Sequence, residues 1–315
     1  MKSAQLSIIL PVYNVEKYIS RALQSCIDQS FKDIEIIVVD DCGQDKSMDI
    51  AYEFARGDHR IKIVHNPENL KLLKTRYEGV KAAESDYIMF LDSDDYLDTS
   101  ICEKIADVLK ENNDQTDLLC FGILNERGGG FVATNGVSSP ADFLYARREY
   151  CDLALRGHKC HWNLCGKVFK REIYLQTLQE LGNNISVNMA EDALVYFYMM
   201  FHVSHVYILN QDGYFYCDNG ASLVRSGDMQ NRKACLEEGE KVVGLITKKM
   251  CAITEKTFYH FAKSMRRDLL FYHRHRKWMM RKLIHRDFFS RNFFKGIYAA
   301  ELISYKLHKA IRKRL

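Results

Sequence analysis

Short apolar runs rich in β-branched residues alternate with helical patterns through the first hundred residues. The apolar runs are 6–12, 34–39, 61–65 and 87–91, and the segments with helical spacing of apolar residues are 15–29, 45–55 and 70–83. Apolar strands that alternate with helices are typical of a parallel sheet covered on both faces. The pattern therefore predicts an open α/β sandwich.

Polar residues follow three of these predicted strands, at 13–14, 40–41 and 92–94. Ligands of such sheets bind beyond the carboxyl ends of the strands, where the strand order switches, so we expect these residues to converge. An aromatic ring can stack on a base, one carboxylate can accept a base N–H, and two more can hold a metal diphosphate. The strand ends therefore predict a nucleotide site.

Three carboxylates crowd the segment Asp92-Ser93-Asp94-Asp95, directly after an apolar run. Clustered carboxylates repel one another and lose hydration, which a bound cation would offset. Asp92 and Asp94 are two apart, so on an extended backbone they point the same way, as ligands of a hard divalent ion would. The alternative is that Asp95 and Asp98 cap the following helix. The sequence alone leaves both interpretations open.

Several other site classes lack their signature. No Gly-x-Gly-x-x-Gly follows the first strand and no Gly-Lys-Ser/Thr is present, so phosphate must be held by metal and cationic side chains. The ten cysteines include no C-x-x-C pair, which argues against zinc and favours reduced, cytoplasmic thiols. The start of the chain has no apolar signal-peptide region before the first strand, so we expect no signal peptide.

Four ordered motifs resemble the inverting glycosyltransferases of family 2, which have the GT-A fold. They are Ser7–Asn14, Ile36–Asp41, Asn69 with Arg76 and Gly79, and Phe90–Asp95. A Glu-Asp pair inside 188–194 is similar to a later motif of the family, so the likeness spans about residues 4–225. Tyr214–Ser222 resembles the loop that follows the catalytic helix. The resemblance implies a Rossmann-like, mostly parallel sheet with helices on both faces, followed by a helical carboxy-terminal region.

The segments 12–19, 31–35, 69–73 and 77–81 are most similar to bacterial lipooligosaccharide β-1,3-galactosyltransferases. One position departs from the family: Lys71 stands where a glycine is common. A lysine there either contacts the diphosphate or points into water.

The resemblance implies a UDP-sugar donor and a Mn²⁺ or Mg²⁺ ion. Tyr13 would stack on uracil, Asp40 would accept its N3–H, and Pro11 would shape the strand exit, with Asn14 and Ser93 in the same donor-binding set. Ordinary alternatives exist, because Tyr13 also fits a half-buried aromatic and Asp40 or Asp41 fits a helix cap near Gln44.

The same resemblance gives roles around the diphosphate. Asp94 would ligate the metal directly, Asp92 would bind the ribose or the metal's water shell, and Arg76 would lie near the diphosphate. An arginine on a helix is more often solvated or paired at the surface.

Transfer to a hydroxyl needs a base, since the hydroxyl loses its proton as the new bond forms. The resemblance makes Asp192 that base, with Glu191 beside it. Both also fit acidic residues favoured by the dipole of a first helical turn. In the segment 160–169, Trp162 and Lys167 are candidates for acceptor binding, with a core position as the alternative for Trp162.

Basicity is confined to the end of the chain. Residues 259–315 hold sixteen Lys and Arg against three Asp and Glu, a balance of +13 within a total of +4. Interleaved aromatics favour an amphipathic surface for an anionic membrane. A single-strand nucleic-acid groove is less favoured, and a helical bundle packed on the catalytic domain is the remaining alternative. We expect no nucleic-acid partner.

These inferences predict a catalytic domain at 1–225, with a nucleotide half at 1–100 and an acceptor half at 101–225, and a membrane-associating region at 226–315. The predicted activity is transfer of galactose, β-1,3, from UDP-galactose to a lipid-linked glycan such as lipooligosaccharide outer core. Alternatives are a glucosyl- or N-acetylhexosaminyltransferase, or a non-catalytic nucleotide-sugar-binding scaffold. The predicted location is cytoplasmic, on the inner face of the plasma membrane, and the sequence predicts no oligomeric state.

Overall fold

The structure is a computed structural model of the chain. It describes residues 5–133, 142–158, 161–182, 185, 187–219, 229–284 and 302, and side chains are described at 233–275 within the last long range. Two compact units are present, one made of residues 1–147, 159–186 and 198–219 and the other of 148–158, 187–197 and 220–315. The predicted domain boundary at 225/226 and most of the basic tail lie outside the described residues.

The first unit is built on one sheet. In the described chain its strands are β1 Leu6–Val12, β2 Ile34–Asp40, β3 Ile61–His65, β4 Tyr87–Phe90, β5 Tyr96–Leu97, β6 Leu118–Arg127, β7 Gly130–Ala133, β8 Phe143–Ala146, β9 Lys167–Lys170 and β10 His205–Tyr216. Across both units, the helices of the described chain are α1 Ile19–Ile27, α2 Ser47–Gly57, α3 Lys71–Ala82, α4 Ile101–Glu111, α5 Arg147–Leu155, α6 Arg171–Leu181, α7 Glu191–Met199, α8 Met229–Lys249 and α9 Lys256–Ile284, with a 3-10 turn at Met250–Ala252.

The strand order is β3-β2-β1-β4-β9-β6-β10-β5, with β7 added to β6 and β8 added to β10. Strands β1 to β4 are parallel, and the longest ladder joins Leu6 to Ile34 and Val12 to Asp40. Strand β9 runs antiparallel between β4 and β6, while β6 and β10 are parallel. The expected α/β fold is confirmed, as a mixed sheet with a helical carboxy-terminal region.

Both faces of the sheet are covered, as the continuous apolar strands predict. Leu6, Ile8, Leu10 and Val12 of β1 are buried in one cluster with residues of α1, α2 and α4. The opposite face carries α3, where Gly79 lies so close to the sheet that an added Cβ would stand 2.4 Å from the Ile9 Cγ2 atom. Strands β1, β2 and β4 therefore have no solvated face, so ligands can reach them only at the strand ends.

Strand order switches between β1 and β4, because β2 and β3 lie on one side of β1 and β4 on the other. The register aligns Val12 with Asp40 and Ile9 with Phe90, so residues that follow these three strands reach one edge of the sheet. This edge is the position at which doubly wound sheets bind ligands.

The second unit, taken by itself, has an apolar core between helices. Its buried residues include Val242 and Ile246 of α8 and Phe261 and Leu269 of α9. In the part of the chain that the structure describes, no helix combines the length and apolarity needed to cross a membrane.

Candidate functional site

The ends of β1 and β4 are tied together at the switch point. The Ser93 hydroxyl donates a hydrogen bond to the Pro11 carbonyl at 2.6 Å, and the Leu91 N–H donates to the Ile9 carbonyl at 3.0 Å. Ser93 is buried. The two predicted donor-binding residues Pro11 and Ser93 therefore set the spacing of the strand ends on which the acidic cluster stands.

Asp92 is held from three directions. The Arg76 guanidinium donates to Asp92 Oδ1 at 2.8 Å, the Cys165 thiol donates to Oδ2 at 3.2 Å, and the Asp92 N–H donates to the Tyr214 hydroxyl at 3.1 Å. Arg76 is 1% exposed and its guanidinium lies 5.2 Å from the centre of the Phe90 ring. This arginine is therefore a buried support of the acidic cluster and not a solvated surface residue.

Asp94 faces a second set of partners. Its Oδ2 atom accepts a hydrogen bond from the Asn219 amide at 3.0 Å, and the Asn219 oxygen accepts one from Tyr18 at 3.3 Å. Arg21 donates to the Asp94 carbonyl at 3.0 Å. Burial and the Asp92 carboxylate raise the pKa of Asp94, although Asn219 and Arg21 act in the opposite direction.

Asp95, the third carboxylate of the segment 92–95, is 1% exposed. It accepts hydrogen bonds from the Tyr214 hydroxyl and from the Cys217 N–H, both at 2.8 Å. Burial, followed by the charges of Asp94 and Asp92, raises the pKa of Asp95 to about 9. Burial and the neighbouring carboxylates therefore disfavour the charged forms of Asp94 and Asp95, and a bound cation would offset this repulsion.

Helix capping, the alternative for this segment, applies to one residue. The Asp98 carboxylate accepts from the Ser100 N–H at 2.9 Å and from the Ser100 hydroxyl at 2.6 Å, directly before α4. The Asp95 carboxylate instead accepts hydrogen bonds from Tyr214 and Cys217, at the end of β10. Helix capping therefore accounts for Asp98 but not for Asp92 and Asp94.

A divalent cation fits this edge if other ligands complete its shell. Within the described ranges, no group of three or more His, Cys, Asp or Glu side chains is arranged to hold a metal ion. Asp92 and Asp94 would therefore be the protein's contribution. A Mg²⁺-like ion accepts one or two carboxylates when phosphate oxygens and water supply the rest.

The end of β1 presents Tyr13 and Asn14. Tyr13 is 48% exposed, so its ring is available to a planar ligand. Asn14 has a left-handed backbone, with φ of 54°, and its side-chain oxygen accepts from the Gln44 N–H at 2.7 Å. Gly43 packs so closely that an added Cβ would lie 2.9 Å from the Asn14 nitrogen. Asn14 therefore joins the loops after β1 and β2.

Asp40 ends β2 and is engaged at both oxygens. Oδ1 accepts from the Cys42 N–H at 3.0 Å, and Oδ2 lies 3.0 Å from His65 Nδ1. His65 in turn lies 2.9 Å from the Tyr52 hydroxyl. The Asp40 carboxylate is therefore fixed by the loop after β2 and by His65.

Asp41 has a structural position. It is 4% exposed and accepts from the N–H groups of Leu70 at 2.7 Å and Lys71 at 3.1 Å, as well as from Asn66 at 2.8 Å. These N–H groups stand at the start of α3. Asp41 therefore caps α3 rather than a helix near Gln44, where the sequence placed the alternative.

The two candidate acceptor residues lie before and within β9. Trp162 is partly exposed in the loop that precedes the strand. Lys167 is 3% exposed, and its ammonium donates to the Asn163 carbonyl at 2.6 Å. Lys167 therefore supports the loop that carries Trp162.

Glu191 and Asp192 open helix α7, as predicted, and are described with the second unit. Glu191 is buried and Asp192 is partly exposed. Ala190, just before them, has a left-handed φ of 62°, and the Leu194 N–H donates to its carbonyl at 3.1 Å. Glu191 and Asp192 therefore follow directly after a sharp backbone turn at Ala190.

Sequence reasoning did not assign five of the residues around the acidic cluster. These are Tyr18, Arg21, Cys165, Tyr214 and Asn219. The available signal was the likeness of 214–222 to the loop after the catalytic helix, which suggested a role but no specific contacts. The structure shows the contacts of Tyr214, Cys217 and Asn219, while 220–222 lie outside the described residues.

Solved structures share the fold of this chain. S. aureus TarS 1–349 in complex with UDP-GlcNAc aligns with a TM-score of 0.64 and 18% identity, over 93% of this chain and 80% of that chain. The mannosyltransferase PcManGT from Pyrobaculum calidifontis, in complex with GDP-Man and Mn²⁺, aligns with a TM-score of 0.57 and 14% identity, over 98% and 86%. At these identities the likeness concerns the fold, which is GT-A-like.

Sequence comparison gives the family. The model of Glycosyl transferase family 2 matches residues 7–170, slightly more than half of the chain, and the chain belongs to this family. The uncharacterized glycosyltransferase EpsJ of Bacillus subtilis (strain 168) is 28% identical over 220 residues, which cover 69% of this chain and 62% of that protein. The chain matches from 33% to 62% of the length of the first curated relatives.

Proposed function

We propose that the protein is a metal-dependent, inverting glycosyltransferase that moves a hexose from a UDP-sugar to a hydroxyl of a lipid-linked glycan. The observation that carries this proposal is the acidic cluster of Asp92 and Asp94 at the switch point between β1 and β4. Few other ligands would satisfy carboxylates there as well as a cation with a diphosphate. Beyond the family membership, the proposal names a donor class, the UDP-sugars, and an acceptor class, the lipid-linked glycans.

The donor would be held along the sheet edge. Tyr13 would stack on uracil, and Asp40, fixed by His65 and Cys42, would accept the base N3–H. Asp94 would ligate the ion, and Asp92 would bind the ribose or the ion's water shell. The divalent ion supplies Lewis-acid stabilisation of the departing diphosphate when it is bound.

The transfer itself is a single displacement. The acceptor oxygen forms a bond to the anomeric carbon while the bond from that carbon to the phosphate oxygen breaks, and the electron pair leaves with UDP. Asp192 would take the hydroxyl proton, with Glu191 as its neighbour. Trp162 and Lys167 are the acceptor-binding candidates, Trp162 by stacking and Lys167 by supporting the loop.

Galactose with β-1,3 linkage to a lipooligosaccharide remains the preferred specificity, on the resemblance of four short segments. The TarS complex, which contains UDP-GlcNAc, favours an N-acetylhexosaminyl donor as the second candidate. The GDP-Man and Mn²⁺ of PcManGT support a divalent cation and add a purine donor to the set worth testing.

A donor screen tests the proposal. The protein is incubated with UDP-galactose, UDP-glucose, UDP-GlcNAc or GDP-mannose and Mn²⁺, with soluble and lipid-linked glycans, and nucleoside diphosphate release and glycan mass are measured. We expect transfer from one UDP-sugar, abolished by EDTA, restored by Mn²⁺ and absent in Asp94→Ala. Binding of UDP-sugars without transfer or hydrolysis would support the scaffold alternative, and full activity in EDTA would remove the metal from the mechanism.

A further inference from the structure

The segment that leads into the Glu191-Asp192 pair is held by a carboxylate of α8. Glu238 Oε2 accepts from the Asn188 backbone N–H at 2.9 Å, and Glu238 Oε1 accepts from the Asn188 side-chain amide at 3.1 Å. Both residues belong to the second unit. One carboxylate therefore fixes both the backbone and the side chain of one residue, which resists translation and rotation better than one bond.

The clamped residue lies three positions before the start of α7. Only Met189 and Ala190 separate Asn188 from Glu191, and Ala190 has a left-handed φ of 62° that disfavours any residue with a Cβ. A strained turn persists only when its surroundings hold it. The Glu238 clamp supplies that restraint on one side, and the first turn of α7 supplies it on the other.

We infer that Glu238 is a positioning residue for Asp192, which it acts on through Asn188 and the turn at Ala190. The inference rests on the proposed role of Asp192 as base. It gives α8 a part in catalysis, because α8 carries Glu238, which lies outside the 7–170 stretch that the family model matches. A base must stay within hydrogen-bond reach of the hydroxyl, so a small displacement of the α7 start is costly.

Glu238→Gln is the test variant, because it keeps the shape but presents an amide NH₂ group to one of the two donors. Glu237→Gln is the matched control, because Glu237 is adjacent and its side chain is 67% exposed, with its Oε1 atom 3.9 Å from the Lys233 ammonium. We expect Glu238→Gln to lower kcat about tenfold to a hundredfold. The number of UDP molecules bound per protein and the KM for the UDP-sugar should not change. Glu237→Gln should have the kcat of the native protein.

A double-mutant cycle with Asn188→Ala separates positioning from a general loss of stability. Because Glu238 acts through Asn188, the double variant should lose little more activity than Glu238→Gln alone. Hydrogen exchange in the peptide that covers 187–195 should be faster in Glu238→Gln and native in Glu237→Gln.

The outcomes are distinguishable. A kcat within twofold of native in Glu238→Gln, additive losses in the double variant, or a reduced UDP stoichiometry that indicates misfolding would each overturn the inference. If Asp192→Asn retains native turnover, the proposed base is wrong, and the positioning role falls with it whatever Glu238→Gln shows.

Discussion

Lys71 begins α3 in a left-handed backbone conformation, with φ of 68°. A residue with a Cβ is disfavoured there by about 1–2 kcal/mol, whereas glycine is not. This steric cost is a physical reason for the glycine that the sequence resemblance led us to expect at this position. The Lys71 side chain is exposed, and its N–H donates to Asp41, so the position serves the turn into α3.

Lys71→Gly should therefore stabilise the protein. The strain at φ of 68° is released while the N–H bond to Asp41 is kept, and the gain is reduced by the greater freedom of glycine in the unfolded chain. We expect an increase of about 0.5–1 kcal/mol in the free energy of unfolding, measured by urea denaturation. The control Lys74→Gly, in the interior of α3, should lose about 1 kcal/mol. A less stable Lys71→Gly protein would contradict this account.

Residues whose partners are near in sequence were predictable, and distant pairs were not. Asp98 caps α4 through Ser100, two positions away, and the sequence indicated such a cap. Asp95 instead binds Tyr214 and Cys217, more than a hundred residues later. No local pattern reports a contact of that separation, because it depends on where β10 enters the sheet.

At the scale of elements, α3 links the sheet to the site. Gly79 allows α3 to approach β1 and β2, and Arg76 on the same helix reaches Asp92 at 2.8 Å. The position of the helix therefore sets the position of the guanidinium. Strand bounds were predicted closely, since β-branched runs mark them, but the antiparallel insertion of β9 between β4 and β6 was not.

Gly79→Ala should push α3 away from the sheet. The new Cβ would meet the methyl groups of Ile9 at 2.4 Å and Val39 at 2.9 Å, which are held in buried strands. We expect a loss of about 1–3 kcal/mol in stability and a weaker affinity for UDP with Mn²⁺, by denaturation and calorimetry. Gly57→Ala is the control, because its added Cβ would meet no atom within 4 Å beyond its chain neighbours and its own helix backbone. Equal behaviour of the two variants would contradict the close approach.

Glu35 joins four elements at the opposite edge of the sheet. It accepts from the Ser7 hydroxyl at 2.6 Å, the Lys62 ammonium at 2.9 Å and the N–H groups of Glu84 at 2.7 Å and Ser85 at 3.1 Å. Burial alone would raise the pKa of Glu35, but these hydrogen bonds lower it below 4.5. The carboxylate is therefore ionised in the native state where the unfolded chain would be protonated.

Because the unfolded chain binds the extra proton, the stability from Glu35 is present above pH 4.5 and is lost as the pH falls through the native pKa. Glu35→Gln should be less stable at neutral pH and should show a shallower loss of stability on acidification. Urea denaturation across the acid range measures both. The exposed Glu53→Gln should keep the native slope, and an unchanged slope in Glu35→Gln would refute the assignment.

At the scale of the whole molecule, positive charge is concentrated in the carboxy-terminal part of the chain. The +13 balance of residues 259–315 supports the proposed contact with an anionic membrane. The first part of this segment, however, also packs within the second unit. Phe258, Phe261, Met265 and Leu269 are buried in the second unit. For residues 256–275 the packed-helix alternative of the sequence analysis thus has support, and membrane contact is proposed for the basic residues that follow.

Deletion of 285–315, which removes eight Lys and Arg and two acidic residues, should weaken binding to anionic vesicles. Each basic residue near such a surface contributes about 1 kcal/mol and is screened by salt. Vesicle sedimentation of intact protein should therefore weaken steeply with ionic strength, and neutral vesicles are the control. An intact protein with no affinity for anionic vesicles at low salt would contradict the membrane proposal.

The central proposal is that Asp192 is the base of the transfer and that Asp94 holds the metal ion of the donor. The most direct measurement is turnover and UDP affinity of Asp192→Asn, beside Asp94→Ala. We predict that Asp192→Asn binds UDP with Mn²⁺ as the native protein does while kcat falls about 10²–10⁴-fold, and that Asp94→Ala loses the metal-dependent part of UDP affinity. Native turnover of Asp192→Asn at saturating donor would contradict the account.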